Sequence, residues 1–233
     1  MPFTAILFDL DGTILDTTPL ILASLRHATS RVLGRTPEDH ILLRNFGRPL
    51  EDSLRALAPD LDEVRFNEFC QEYLDHNQRE HDRLVGLVPG VEAVLAGLSA
   101  RGVKLGIVTS KRREMSVRGL NFFGLARYFE IVVAREDTQR HKPGPEPVAE
   151  GLRRLGVEAR QVLYIGDSPY DMQAGHAAGT SVWGLLHNTF TPEVLKAAGA
   201  QRVAGGWHEI GEWLGLAEGS DAASNSATMK RSD

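Results

Sequence analysis

The apolar positions fall into two rhythms. Near the N-terminus four apolar residues stand in a row, Ala5-Ile6-Leu7-Phe8, and polar and turn residues follow. A short unbroken run of this kind predicts a buried strand. From residue 17 to about residue 84 the spacing is helical. Thr18 and Pro19 supply a predicted cap and a first-turn proline, and Leu22, Leu25, Ala28, Val32 and Leu33 then recur up to Gly34. The helical pattern resumes at Pro37 through Leu42, and again over residues 50–57 and 61–74. No strand signal interrupts this block. From Val88 onward short apolar runs alternate with helical stretches. Strands are expected at 103–109, 130–133, 162–167 and 181–186, with an edge strand at 201–204. Helices are expected from Val91 to Gly102, over 111–123, up to Leu155 before Gly156, up to about Gly179, and briefly after Thr191-Pro192.

Strands alternating with helices imply a parallel sheet with right-handed crossovers. The predicted fold is therefore α/β: a doubly wound, Rossmann-like parallel-sheet core with an inserted all-helical cap. The expected division is residues 1–16 and 85–216 for the core, 17–84 for the cap and 217–233 for a flexible tail of small and polar residues.

Composition narrows the functional classes. The chain has 233 residues, 42% of them hydrophobic, and a formal net charge of −5 without a basic tract, so no nucleic-acid partner is expected. No apolar run approaches the roughly 18 residues of a membrane span, and no leader is read at the N-terminus. A cytoplasmic monomer or homodimer is the default expectation. Cys70 is the single cysteine, which excludes an intrachain disulfide and a Cys-rich zinc site. Its neighbours Phe66, Phe69 and Tyr73 point to core packing.

Candidate chemistry gathers at predicted strand ends. Asp9 and Asp11, two apart on an extended chain, project to the same side. Like charges so close repel unless a cation lies between them or one is protonated. A bound divalent metal and a split between nucleophile and acid both follow. Thr109 and Ser110, Lys142, and Asp167 with Asp171 stand at the ends of three further strands or in the loops after them. A parallel sheet brings such tips to one edge.

In order, the chain carries Asp9-Leu10-Asp11-Gly12-Thr13, Val108-Thr109-Ser110, Lys142-Pro143-Gly144-Pro145 and Gly166-Asp167-Ser168-Pro169-Tyr170-Asp171. These resemble the four motifs of the haloacid-dehalogenase-like (HAD) hydrolase superfamily, specifically its phosphatases. The resemblance implies that Asp9 is a phosphoryl-accepting nucleophile and that Asp11 is a general acid and base. It implies that Asp9, Asp11 and Asp167 hold Mg²⁺, with Asp171 behind them orienting the ligands. Thr109 and Ser110 would bind phosphate from a helix N-terminus, and Lys142 would offset charge on Asp9 and on the phosphoryl group.

Asp11 argues against the dehalogenases, which lack an acid there. The cap, residues 17–84, contains no lysine, which argues against phosphonate cleavage through a Schiff base. Sugar-phosphate mutases share the fold and remain an alternative, as does a non-enzymatic phosphometabolite sensor. Two branches look alike in motifs and cap: phosphoglycolate phosphatases, and bacterial PpaX-type pyrophosphatases, whose His-Asn and His-Asp-x-Leu-Val features resemble His76-Asn77 and His81-Asp82-Arg83-Leu84-Val85. The implied substrate is a small phosphorylated metabolite or pyrophosphate. Arg48, His76 and Lys111 are candidate specificity residues; Arg112 and Arg113 are read as solvated.

Overall fold

The computed structural model describes residues 2–44, 50–187 and 190–216. A first strand, β1 (Ala5–Phe8), ends in a tight loop and a two-residue strand, β2 (Leu15–Asp16). The chain then enters helices α1 (Thr18–Leu33), α2 (Asp39–Leu42), α3 (Leu50–Leu57) and α4 (Glu63–Leu84). It returns through β3 (Gly86–Leu87), which pairs antiparallel with β2. The two short strands form a neck between the helical insert and the rest.

Beyond the neck come α5 (Val91–Ala100), β4 (Lys104–Val108), α6 (Arg113–Phe122), β5 (Ile131–Val133), α7 (Glu146–Leu155), β6 (Val162–Gly166), α8 (Pro169–Ala177), β7 (Ser181–Leu185), α9 (Pro192–Ala197), β8 (Arg202–Ala204) and α10 (Trp207–Trp213). Six strands make one sheet in the order β5-β4-β1-β6-β7-β8, with every pair parallel. Strand β1 pairs with β4 on one side and β6 on the other, and the order runs outward from it in both directions. Such a reversal opens a crevice at the carboxyl ends of the central strands.

The continuous apolar run of β1 follows from burial on both faces. Ile6 and Phe8 join the layer containing α5 and α10, with Leu95, Trp207 and Ile210. Ala5 and Leu7 join the opposite layer with Val148 of α7 and Ala174 of α8. Full burial of a Leu or Phe side chain is worth about 1.5–3 kcal/mol, so the strand carrying Asp9 lies in the most strongly held part of the sheet.

The insert has its own core, built mainly where α1 meets α4 and including Leu25, Ala28, Leu54, Phe66 and Phe69. Cys70 is half-buried against it. Helix α4 is capped by Asp62, whose side chain accepts the Arg65 N–H, and continues ten residues past the predicted end at 74. Its buried stripe runs through Phe66, Phe69, Tyr73, Asn77 and His81. Polar residues carry the last two turns of that stripe, so hydrophobic spacing alone stops short. The cap of α1 falls one residue earlier than expected, at Thr17. The neck strands and α10 had no counterpart among the predicted elements. No helix among the described residues is long and apolar enough to cross a membrane. The proposed tail, 217–233, lies outside the described residues.

Candidate active site

The loop after β1 turns at Gly12, whose φ of 80° suits glycine. Asp9 is 7% exposed, and Asp11 faces the same cleft. Beneath them is a buried charge cluster. The Lys142 ammonium donates to Asp9 Oδ1 and to Asp171 Oδ1, each at 2.6 Å. Asp171 Oδ1 also accepts the Tyr164 hydroxyl at 2.9 Å, while Oδ2 accepts the Ser168 N–H at 3.1 Å and the Ser168 hydroxyl at 2.6 Å. Ser168 in turn caps α8, accepting the Asp171 N–H. This close approach requires Gly166: a Cβ there would lie 2.5 Å from Asp171 Cβ.

The electrostatics follow from burial. Loss of water pushes the Asp9 carboxyl up to about 7; Lys142 pulls against this, and Asp171 and Asp11 add to it. Burial alone would lower the Lys142 ammonium, but Asp171 and Asp9 override it and hold the group above its ordinary value. Burial and the carboxylate of Asp171 likewise raise the Tyr164 phenol.

Carboxylate oxygens of Asp9, Asp167 and Asp171 lie within 4.8 Å of one another. All are hard donors of the kind Mg²⁺ takes. Asp171 has two donors on each oxygen, which fills its acceptor capacity. That leaves Asp9 and Asp167 as side-chain donors suited to a cation, and the donor set fits Mg²⁺. Asp167 is itself held from behind. The Thr13 hydroxyl donates to Asp167 Oδ1 at 3.4 Å, and the Trp207 indole donates to the Thr13 carbonyl at 2.8 Å. Trp207 is fully buried against Phe8, with ring centroids 5.8 Å apart.

Above the cluster lies a cleft of about 150 Å³ between the sheet edge and the insert. Its floor presents Asp9, Asp11, Thr109, Ser110 and Lys111. The Lys111 ammonium contacts both Asp11 oxygens, at 2.9 and 3.1 Å. Thr109 Oγ1 accepts the Lys111 N–H at 3.1 Å, and the Ser110 hydroxyl is buried without a hydrogen-bond partner among the described residues. The insert contributes an apolar wall that includes Ile21, Leu25, Leu42, Leu50 and Leu74, relieved by Ser53, Tyr73 and Asn77.

Several expectations change. Thr109 and Ser110 sit in the loop before α6, whose cap is Arg112, rather than at a helix N-terminus. Lys142 is buried, with its ammonium between Asp9 and Asp171. His76 also faces away: it stacks on His27 at 4.6 Å and lies 3.1 Å from the Ser24 hydroxyl. Its neighbour Asn77 is the one on the cleft, because the buried stripe of α4 runs through residue 77. His81 is fully buried, with Nδ1 2.7 Å from Asp82 and its ring packed against Gly119. Arg112 lines the cleft, and Arg113 ion-pairs with Asp137, so neither is simply solvated. Arg48 lies outside the described residues. Tyr164, Trp207 and Arg135 were not singled out in the sequence, since an isolated aromatic or arginine carries no spacing signal, and Asn77 was read only as part of the His76-Asn77 feature.

The family model described as Haloacid dehalogenase-like hydrolase matches residues 6–185. The pyrophosphatase PpaX of Bacillus pumilus is 38% identical over 190 residues, covering 82% of this chain and 86% of that protein. The pyrophosphatase PpaX of Bacillus velezensis is 38% identical over 194 residues, covering 83% and 88%. Among solved structures, that of a predicted phosphoglycolate phosphatase from Haemophilus somnus superposes with a TM-score of 0.86 at 23% identity, covering 92% of this chain and 99% of that one. This last likeness bears on fold alone.

Proposed function

The chain belongs to the haloacid dehalogenase-like hydrolase family, and we propose that within it the protein is a Mg²⁺-dependent phosphatase. Its substrate is a small anionic phosphate compound, a phosphoglycolate-like phosphomonoester or pyrophosphate, and its intermediate is an aspartyl-phosphate on Asp9. The observation that carries this reading is the pairing of two differently held carboxylates on one loop. Asp9 is buried and anchored by Lys142, whereas Asp11 is at the cleft under Lys111.

Lys142 engages one oxygen of Asp9, which leaves the other for phosphorus. As the Asp9 O–P bond forms and the P–O bond to the leaving group breaks, Asp11 gives its proton to the departing oxygen. Water then attacks phosphorus and passes a proton to Asp11, and the Asp9 O–P bond breaks to release phosphate. Splitting one displacement in two and supplying a positioned acid, worth about 10²–10⁴-fold, are the two contributions of this loop. Asp9, Asp167 and the Asp11 backbone carbonyl would hold Mg²⁺, which when bound neutralises phosphoryl charge. Thr109 and the unpartnered Ser110 hydroxyl supply donors for phosphoryl oxygens. The named pyrophosphatases support pyrophosphate as one substrate. The test is phosphate release by the purified protein with Mg²⁺ from phosphoglycolate, pyrophosphate, sugar phosphates and ethyl phosphate. Release above background supports the reading; sugar-phosphate isomerisation without release, or no turnover of any of them, overturns it.

A further inference from the structure

The cleft carries more positive charge than a single phosphoryl group uses. Lys111 is already engaged by Asp11, but Arg112 and Arg135 stand on the same wall, from the loops after β4 and β5. Both guanidinium groups meet one carboxylate, that of Glu51 in the first turn of α3. Arg135 Nη1 contacts Glu51 Oε2, and Arg112 Nη2 lies 3.6 Å from Glu51 Oε1. Each carboxylate oxygen therefore takes one arginine, the arrangement by which a two-arginine clamp binds an oxyanion.

Two features make Glu51 replaceable. Its side chain is 36% exposed, and rim ion pairs of this kind hold weakly. Much of the insert's side of the cleft, Leu25, Leu42 and Leu50 among it, is apolar and offers an anion no solvation. A leaving group with its own charge has the Arg135–Arg112 pair as its cationic partner.

We propose that Arg135 and Arg112 form a clamp for a second anionic group of the substrate, carboxylate or phosphoryl, and that Glu51 fills this clamp until substrate displaces it. The inference rests on the phosphatase reading of Asp9 and names what binds at the other end of the same molecule. Glu51 is then an internal competitor contributed by the insert, and it couples the insert to the presence of the right substrate.

The experiment compares phosphoglycolate with ethyl phosphate, which differ in the distal carboxylate, and adds pyrophosphate. All are assayed as kcat/KM on the full chain with Mg²⁺. Arg135→Gln lowers the phosphoglycolate-to-ethyl-phosphate ratio about tenfold or more, the size of one lost charge-assisted contact. Arg112→Gln moves it the same way, by less. Glu51→Gln moves it in the opposite direction, upward by about threefold, because the competitor is gone. A shift confined to pyrophosphate makes the second group phosphoryl; a shift confined to phosphoglycolate makes it a carboxylate. Ratios within about twofold of wild type in the arginine variants for both anions, or a fall with Glu51→Gln, overturn the clamp. Phosphate release by the wild-type protein from any of the three substrates separately decides the phosphatase reading, so the two ideas fail independently.

Discussion

The two walls of the cleft are built on opposite principles. On the sheet side, Lys142, Asp9, Asp171, Tyr164 and Ser168 form one buried network in which Lys142 and both oxygens of Asp171 have hydrogen-bond partners. On the insert side, leucines face the cleft, and half-exposed pairs such as Glu51–Arg135 and Asp82–Arg118 tie the insert to the core. Buried, fully paired charges are costly to disturb, whereas exposed pairs are worth at most about 1 kcal/mol. The geometry suited to chemistry is thus held rigidly, and the contacts suited to admitting and choosing a substrate are held loosely.

The comparison breaks most sharply at Asp9. Asp9→Asn is expected to lower turnover by about 10⁴-fold or more while circular dichroism keeps the spectrum of the folded protein; wild-type turnover in this variant removes Asp9 as nucleophile. Next comes Asp171→Ala, which takes one of two carboxylates from the buried Lys142 and leaves the Tyr164 and Ser168 donors without it. Denaturant unfolding is expected to show a loss of about 3–5 kcal/mol, and a loss under 1 kcal/mol contradicts the claim that this wall is rigidly held. Trp207→Phe keeps an aromatic side chain, though a smaller one, and removes the donor to the Thr13 carbonyl. A buried carbonyl left unpaired costs about 1–3 kcal/mol. The Mg²⁺ concentration for half-maximal activity should rise as well, since Thr13 donates to Asp167. The smallest effect belongs to the insert side. Arg118→Ala loses its contacts with Asp82 and the Gln78 carbonyl, and stability should change by no more than about 1 kcal/mol.

Much of this was legible in the chain. The run Ala5-Ile6-Leu7-Phe8 reads best as a buried strand, and the strands ending near Thr109 and Asp167 are its direct neighbours, β4 and β6. The capping box at Ser168 and Asp171 explains why that motif has its spacing. Helix α4 was read too short, because Asn77 and His81 are polar residues doing the packing of apolar ones. His76 was the candidate specificity residue and Asn77 was not, yet a one-residue step turns a helical side chain by about 100°.

The sequence by itself determined the order of the sheet strands and most helices, the helical insert and the set of groups at the strand tips, because periodicity and turn chemistry act over a few residues. Only the tertiary structure decided that Lys142 stands between Asp9 and Asp171, that Trp207 reaches Thr13 across the molecule, and that Glu51 meets two arginines of the sheet edge. The bonds from Arg135 to Glu51 and from Trp207 to Thr13 join residues 84 and 194 positions apart. No local pattern encodes such pairings; they follow from how layers pack and which polar groups burial forces to find partners.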